Sequence, residues 1–263
     1  YFHCSNDPDS LDGICIPKLK IAIVDATAPH TQDPVLPVAL DEILNVAVCL
    51  DSKGLRPYAE ELKSILAEKK ELIRMAYGYL HAGYSLYKNN TGLYEKSVNK
   101  GALNIILQEI LDGLFKEKTC TEKLGGHRKL FASAITPSGF VDYSKYLFNC
   151  KEVTLLKGTE GCGADMILAK IQEAANRRGY RTEGYYSPLS PNQLEHLIIP
   201  DLECCFATNN PYHKLNPSTA KKIDLYELCD QNLLSKHRER MDYNIELFDE
   251  LARKAMNLLD ESR

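Results

Sequence analysis

The chain has 263 residues, 44% of them apolar and 26% charged, and a formal net charge of −4. That length suffices for two modest domains with ample core. The small negative charge excludes bulk attraction to nucleic acid or to an anionic membrane surface, and no apolar run approaches the roughly 20 residues that span a bilayer.

Tyr1-Phe2-His3 reads as a strand. Ser5-Asn6-Asp7-Pro8-Asp9-Ser10 is a turn-rich cluster, with polar residues suited to capping. Lys20-Ile21-Ala22-Ile23-Val24 is a buried-strand signal that ends in Asp25. Four apolar residues closing on an acid is the pattern of a Walker B strand, whose aspartate is associated with magnesium in a nucleotide site. A buried strand with a capping aspartate gives the same pattern. His30, in the loop that follows, is a candidate for orienting a substrate or a water, against the plainer reading of a loop histidine bonded to backbone.

Helical spacing predicts a helix from Leu55 to about Lys88, broken by Asn89-Asn90-Thr91-Gly92, and a second from Leu103 to Lys118. Gly125-Gly126 marks the expected boundary between a domain at 1–125 and another at 126–263. A last helix is predicted from about Leu234 onward. Nine cysteines occur with no C-x-x-C pair. They read as buried, reduced thiols of a cytoplasmic protein, and no basic-then-apolar leader opens the sequence.

The most informative stretch is Gly158-Thr159-Glu160-Gly161-Cys162-Gly163-Ala164-Asp165. It follows the apolar run Val153-Thr154-Leu155-Leu156 and opens the helical pattern from Met166. Strand, glycine-rich turn and helix make the setting of a phosphate-binding loop, whose backbone amides point at one anion beside a helix N-terminus. The glycines at 158 and 163 fit G-x-x-x-x-G-K-[ST]. Ala164 stands where the lysine belongs and Asp165 where the magnesium-binding hydroxyl belongs. The frame of a nucleotide site is present without its charge chemistry, and Ala164→Lys with Asp165→Ser is expected to raise nucleotide affinity.

A slide of 183 residues aligns the two ends of the chain. Pro8 falls on Pro191, Leu11 on Leu194, Ile16 on Ile199, Pro17 on Pro200 and His30 on His213; after a short gap, Pro37 falls on Pro217 and Cys49 on Cys229. This is the pattern of an internal duplication. In the second copy the glycine loop precedes the shared segment, so in the first copy its counterpart is expected before Tyr1. Thr208 takes the position of Asp25 in the second copy.

The stretches His3 to Gly13, Ile16-Pro17 and Ala22 to His30, with Leu130 to Pro137 leading to the glycine loop, resemble a bacterial family of tandem P-loop ATPases found mostly in Firmicutes. The resemblance covers nearly the whole chain. It implies an α/β protein of two repeated P-loop NTPase-like parallel-sheet units with flanking helices, the first lacking its strand–P-loop–helix. It also implies ATP and Mg2+ at an intact first half, with Asp25 as the magnesium-associated acid, and a degenerate second half. The expected activity is that of an ATPase or a small-molecule or nucleotide kinase in the full-length parent. The expected partners are a nucleotide and, through exposed sheet edges, a second copy. The alternative is a regulatory or scaffold module that uses a nucleotide fold for docking.

Overall fold

The structure is a computed structural model that describes residues 1–28, 30–116 and 120–263. The first strands are β1 (Phe2–His3), β2 (Leu11–Ile16) and β3 (Ile21–Val24), followed by helices α1 (Ser52–Leu55), α2 (Ala59–Ser97) and α3 (Lys100–Leu114). Next come β4 (His127–Phe131), β5 (Ser133–Thr136), β6 (Gly139–Asp142) and β7 (Glu152–Lys157), then helix α4 (Ala164–Arg177). The chain continues through β8 (Thr182–Tyr186), β9 (Leu194–Ile199), β10 (Cys204–Asn209) and β11 (Lys221–Asp224) to helices α5 (Gln231–Lys236) and α6 (Arg238–Glu261). Pro29 and the end of the helix expected to reach Lys118 lie outside the described residues.

Two compact units form. One holds residues 1–76, 136–138 and 256–263; the other holds 77–135 and 139–255. Gly125-Gly126 lies inside the second unit, just before the larger sheet begins at His127, and the helical residues from Tyr77 onward belong to that same unit.

The second unit is built on a six-stranded sheet in the order β11-β7-β10-β9-β8-β4. The sheet is mixed, where an all-parallel one was expected. β7 runs parallel to β10 and β11, and β4 runs parallel to β8, but β9 is antiparallel to both of its neighbours. The connections 187–193 and 200–203 explain this, because parallel neighbours need a crossover of roughly a dozen residues or more. β10, Cys-Cys-Phe-Ala-Thr-Asn, is buried over its first five residues, as a central strand covered on both faces must be.

One face carries Leu156, Leu197, Ile199 and Phe206 and is covered by Ile167, Leu168, Ile171 and Ala175 of α4, with Leu103 and Ile110 of α3 in the same cluster. The other face carries Val153, Leu155, Tyr185, Ile198 and Ala207, packed with Ala132 and Leu215. Each fully buried Leu or Ile contributes roughly 1.5–3 kcal/mol over its exposed state, so this pair of faces is where the unit's stability is concentrated. Cys150 and Cys205 are joined by a disulfide, Cα–Cα 6.0 Å, which corrects the expectation of nine free thiols. Cys162, Cys204 and Cys229 are buried and free as expected, whereas Cys49 and Cys120 are exposed.

In the first unit β1, β2 and β3 form an antiparallel three-stranded sheet. Its pairing is that of β8-β9-β10 with 183 added to every number. Phe2↔Gly13 corresponds to Tyr185↔His196, His3↔Leu11 to Tyr186↔Leu194, and Ile14↔Ile23 to Leu197↔Phe206. Both meanders have a register irregularity at the same place, after Phe2 and after Tyr185. Both turn into the third strand through a left-handed residue, Lys20 (φ 56°) and Glu203 (φ 50°). In the second unit β7 lies on the outer edge of β10; among the described residues no strand pairs with the corresponding edge of β3, and all four residues of β3 are exposed.

Ile21, Ile23 and Val24 are between 50% and 59% exposed. An unpaired apolar edge invites pairing with another chain. Sedimentation of the purified chain is expected to show concentration-dependent association, reduced by Ile23→Lys. A monomer at all concentrations would contradict this. No helix among the described residues is long and apolar enough to cross a membrane.

Candidate functional site

The glycine loop lies where its sequence frame requires, between the end of β7 and the start of α4. Lys157 at the strand end is held by Asp224, Nζ–Oδ2 2.6 Å, and does not reach into the loop's role. The Gly158 amide donates to the Asn209 carbonyl (3.1 Å), tying the loop to the end of β10, and the Cys162 amide donates to the Thr159 carbonyl (3.1 Å). Two of the amides that a phosphate would draw on therefore already have protein acceptors. Gly161 and Gly163 have φ of +93° and +95°, a region in which side chains are strained.

The loop is packed against the helices that precede the sheet in sequence. A Cβ on Gly161 would lie 2.4 Å from the Thr91 carbonyl oxygen, and one on Gly163 would lie 2.4 Å from Leu103 Cδ2. The glycines allow that close approach. The Glu160 carboxylate accepts from the Tyr84 hydroxyl (3.0 Å) and from Lys88 Nζ (2.9 Å). Thr159 Oγ1 and the Tyr87 hydroxyl are 2.7 Å apart. Lys88 brings a positive charge to the loop, and Glu160 neutralises it.

Burial sets the titration of these groups. It raises the Glu160 carboxyl against the opposing pull of Lys88 and Tyr84, and it raises the Tyr87 phenol to about 12, so Tyr87 stays a neutral hydroxyl. Ala164 is buried among α4's core residues. Asp165 is exposed in the first turn of α4, where a carboxylate complements the positive end of the helix. Gly158, Thr159, Glu160, Gly161, Cys162, Gly163, Ala164 and Asp165 thus form a closed joint, and the residues present do not fit a magnesium–triphosphate group.

Asp25 follows β3 at an exposed position. Its Oδ1 accepts from the Thr27 amide (2.9 Å) and the Thr27 hydroxyl (2.7 Å). Those bonds, the amide's first, hold its carboxyl below the usual range. His30 Nε2 is 3.7 Å from Asp12 Oδ2. Asp25 and His30 share the first unit, while the glycine loop is in the second. At the position matching Asp25, Thr208 is buried, and its hydroxyl has no hydrogen-bond partner among the described residues.

His213, the counterpart of His30, is buried between two carboxylates. Its Nδ1 is 3.0 Å from Asp142 Oδ2 and its Nε2 is 3.2 Å from Glu195 Oε2. Burial pulls its pKa down, but the bonds to Asp142 and Glu195 outweigh that and raise it to about 9. Burial likewise opposes ionisation of Asp142, yet His213 and the Ser144 amide bring it down to about 2. Sequence reasoning singled out His213 and missed Asp142, Glu195 and His196. The 183-residue slide carried a signal for one of them, since it sets Glu195 on Asp12.

No protein-family model, curated protein or solved structure matches the chain.

Proposed function

We propose that this chain is a tandem protein on a nucleotide-binding frame, with ATP binding and hydrolysis assigned to the first unit and a non-catalytic second unit. The observation that carries the reading is the shared register of the two meanders. By that register Asp25 corresponds to Thr208, one strand away from the glycine loop. A strand–glycine-loop–helix pairing along the open edge of β3, as β7 pairs with β10, would set Asp25 beside bound phosphates. Asp25 would then associate with magnesium, and His30 would orient the attacking water or acceptor hydroxyl. Such a segment would precede Tyr1 in the full-length protein, a cytoplasmic ATPase or kinase in this reading. The resemblance to tandem P-loop ATPases supports the same assignment.

A second reading follows from the closed loop of the second unit: a scaffold whose nucleotide fold serves docking. Calorimetry separates the two. Protein extended upstream of Tyr1 is expected to bind Mg-ATP, and Asp25→Asn to weaken magnesium-dependent binding about tenfold or more, in line with loss of one charged ligand contact. Absence of Mg-ATP binding by the extended protein would favour the scaffold.

A further inference from the structure

We propose that Glu195, His196 and His213 form a binding site for a divalent transition-metal ion, with zinc the best match, and that Asp142 orients His213 for it. The site lies in the second unit. His196 and Tyr185 are cross-strand partners, as are His196 and Ala207, so the His196 ring belongs to the sheet face that bears Tyr185 and Ala207. That face is opposite the one covered by α4, and the cluster is distinct from the glycine loop.

The starting observation is His196. It is fully buried, and neither ring nitrogen has a hydrogen-bond partner among the described residues. A buried imidazole normally satisfies at least one nitrogen. With both nitrogens unpartnered, the ring has a lone pair that no protein donor uses. The His213 ring stands 5.0 Å away, centroid to centroid, at 86° to it. One ligand atom from each of Glu195, His196 and His213 lies within 4.8 Å of the other two. A metal at the usual zinc–ligand distances of about 2.0–2.2 Å, with its ligand atoms roughly 3.5 Å apart, draws these atoms together by up to about 1.4 Å.

The surroundings match what such a site requires. Metal-bound histidines commonly donate their second ring N–H to a carboxylate, which fixes the tautomer and the ring orientation. Asp142 is in that position at Nδ1 of His213, 3.0 Å away. Nε2 is then left to face the ion, where it now meets Glu195. Phe148 packs edge-on against His196 and Phe140 against His213, giving apolar walls. Glu195 and Asp142 keep side-chain exposures of 14% and 20%, so the carboxylate side is open to an entering ion. Two imidazoles and one carboxylate suit zinc, leaving a fourth position for water or substrate. Binding displaces the proton from Nε2 of His213, and Glu195 turns from ion-pair partner to ligand.

The first unit provides an internal comparison. It keeps the carboxylate–histidine pair as Asp12 and His30 but has Gly13 where His196 stands. A Cβ on Gly13 would be 3.1 Å from both the Ile23 carbonyl oxygen and Val24 Cγ1. The third ligand is therefore particular to the second copy.

The test is titration of Zn2+ by calorimetry into the metal-stripped 263-residue chain with its Cys150–Cys205 disulfide intact, and of Co2+ followed by absorption. One zinc is expected to bind at this site with micromolar or tighter affinity. Cobalt is expected to give a tetrahedral-type d–d band without a sulfur-to-metal charge-transfer band. His196→Phe, which keeps an aromatic of similar size, is expected to lower affinity at least about 100-fold, and Asp142→Asn about 10–100-fold. Unchanged zinc affinity in folded His196→Phe would overturn the proposal. So would a thiolate charge-transfer band, or no cobalt band, in the unmodified chain, and those readouts decide even if the variants fail to fold.

Discussion

Gly161→Ala is expected to destabilise the second unit by about 2–5 kcal/mol, combining about 1–2 kcal/mol of left-handed backbone strain with about 1–3 kcal/mol of overpacking. Gly161 sits at φ +93°. Its new Cβ would meet the Thr91 carbonyl oxygen at 2.4 Å and Tyr94 Cβ at 3.0 Å. Neither atom is the far end of a flexible side chain, so the loop or α2 must move. Gly92 provides the control. It lies inside α2 with nothing within 4 Å of where an alanine Cβ would sit, and Gly92→Ala is expected to stabilise by about 1 kcal/mol through helix propensity. Urea denaturation of both variants checks the pair. Equal stability of Gly161→Ala and the unmodified chain would mean that α2 does not close on the loop.

Asn90→Ala is expected to cost about 2–4 kcal/mol, because it strands two buried groups at about 1–3 kcal/mol each and regains a little helix propensity. The Asn90 side chain donates to the Met241 carbonyl (2.8 Å) and accepts from Asn244 Nδ2 (2.8 Å), and both asparagines are buried. Replacing Asn90 and Asn244 together with leucine removes the stranded Asn244 amide, leaving only the Met241 carbonyl without its Asn90 donor, and is expected to recover part of the loss, a coupling that a double-mutant cycle reads directly. Additive losses would mean that the two side chains act independently.

The same asparagine explains where sequence reasoning stopped. Asn89-Asn90-Thr91-Gly92 has the local chemistry of a helix break, yet α2 runs through it to Ser97. The bonds from Asn90 to residues more than 150 positions away override local preference. Periodicity was enough for α4, whose apolar residues recur at helical spacing, and for the buried strands β7 and β10. The order of the six-stranded sheet was not legible, because the direction of β9 depends on the shortness of the connections on either side of it. The glycine loop was legible as strand, turn and helix from Gly158, Gly163 and their flanks. Its occupation was not, because Tyr84, Lys88, Thr91 and Leu103 reach it from more than 50 residues away in sequence. His196 was invisible for a related reason: its partners become neighbours only through the pairing of β8, β9 and β10.

The closed loop also changes the expectation for Ala164→Lys with Asp165→Ser. Position 164 is buried in the α4 core, so a lysine there enters an apolar environment, where its charged form is disfavoured. The exchange also removes the carboxylate at the head of α4. The altered chain is therefore expected to lose stability without gaining a phosphate site, since α2 and α3 still fill the space at Gly161 and Gly163.

Mg-ATP titrated into the unmodified chain and into this double variant, followed by calorimetry and by phosphorus NMR, tests the closed-joint reading most directly. It predicts no saturable binding below millimolar concentration in either protein. Micromolar binding that broadens the phosphate resonances and is abolished by Gly161→Val would contradict it.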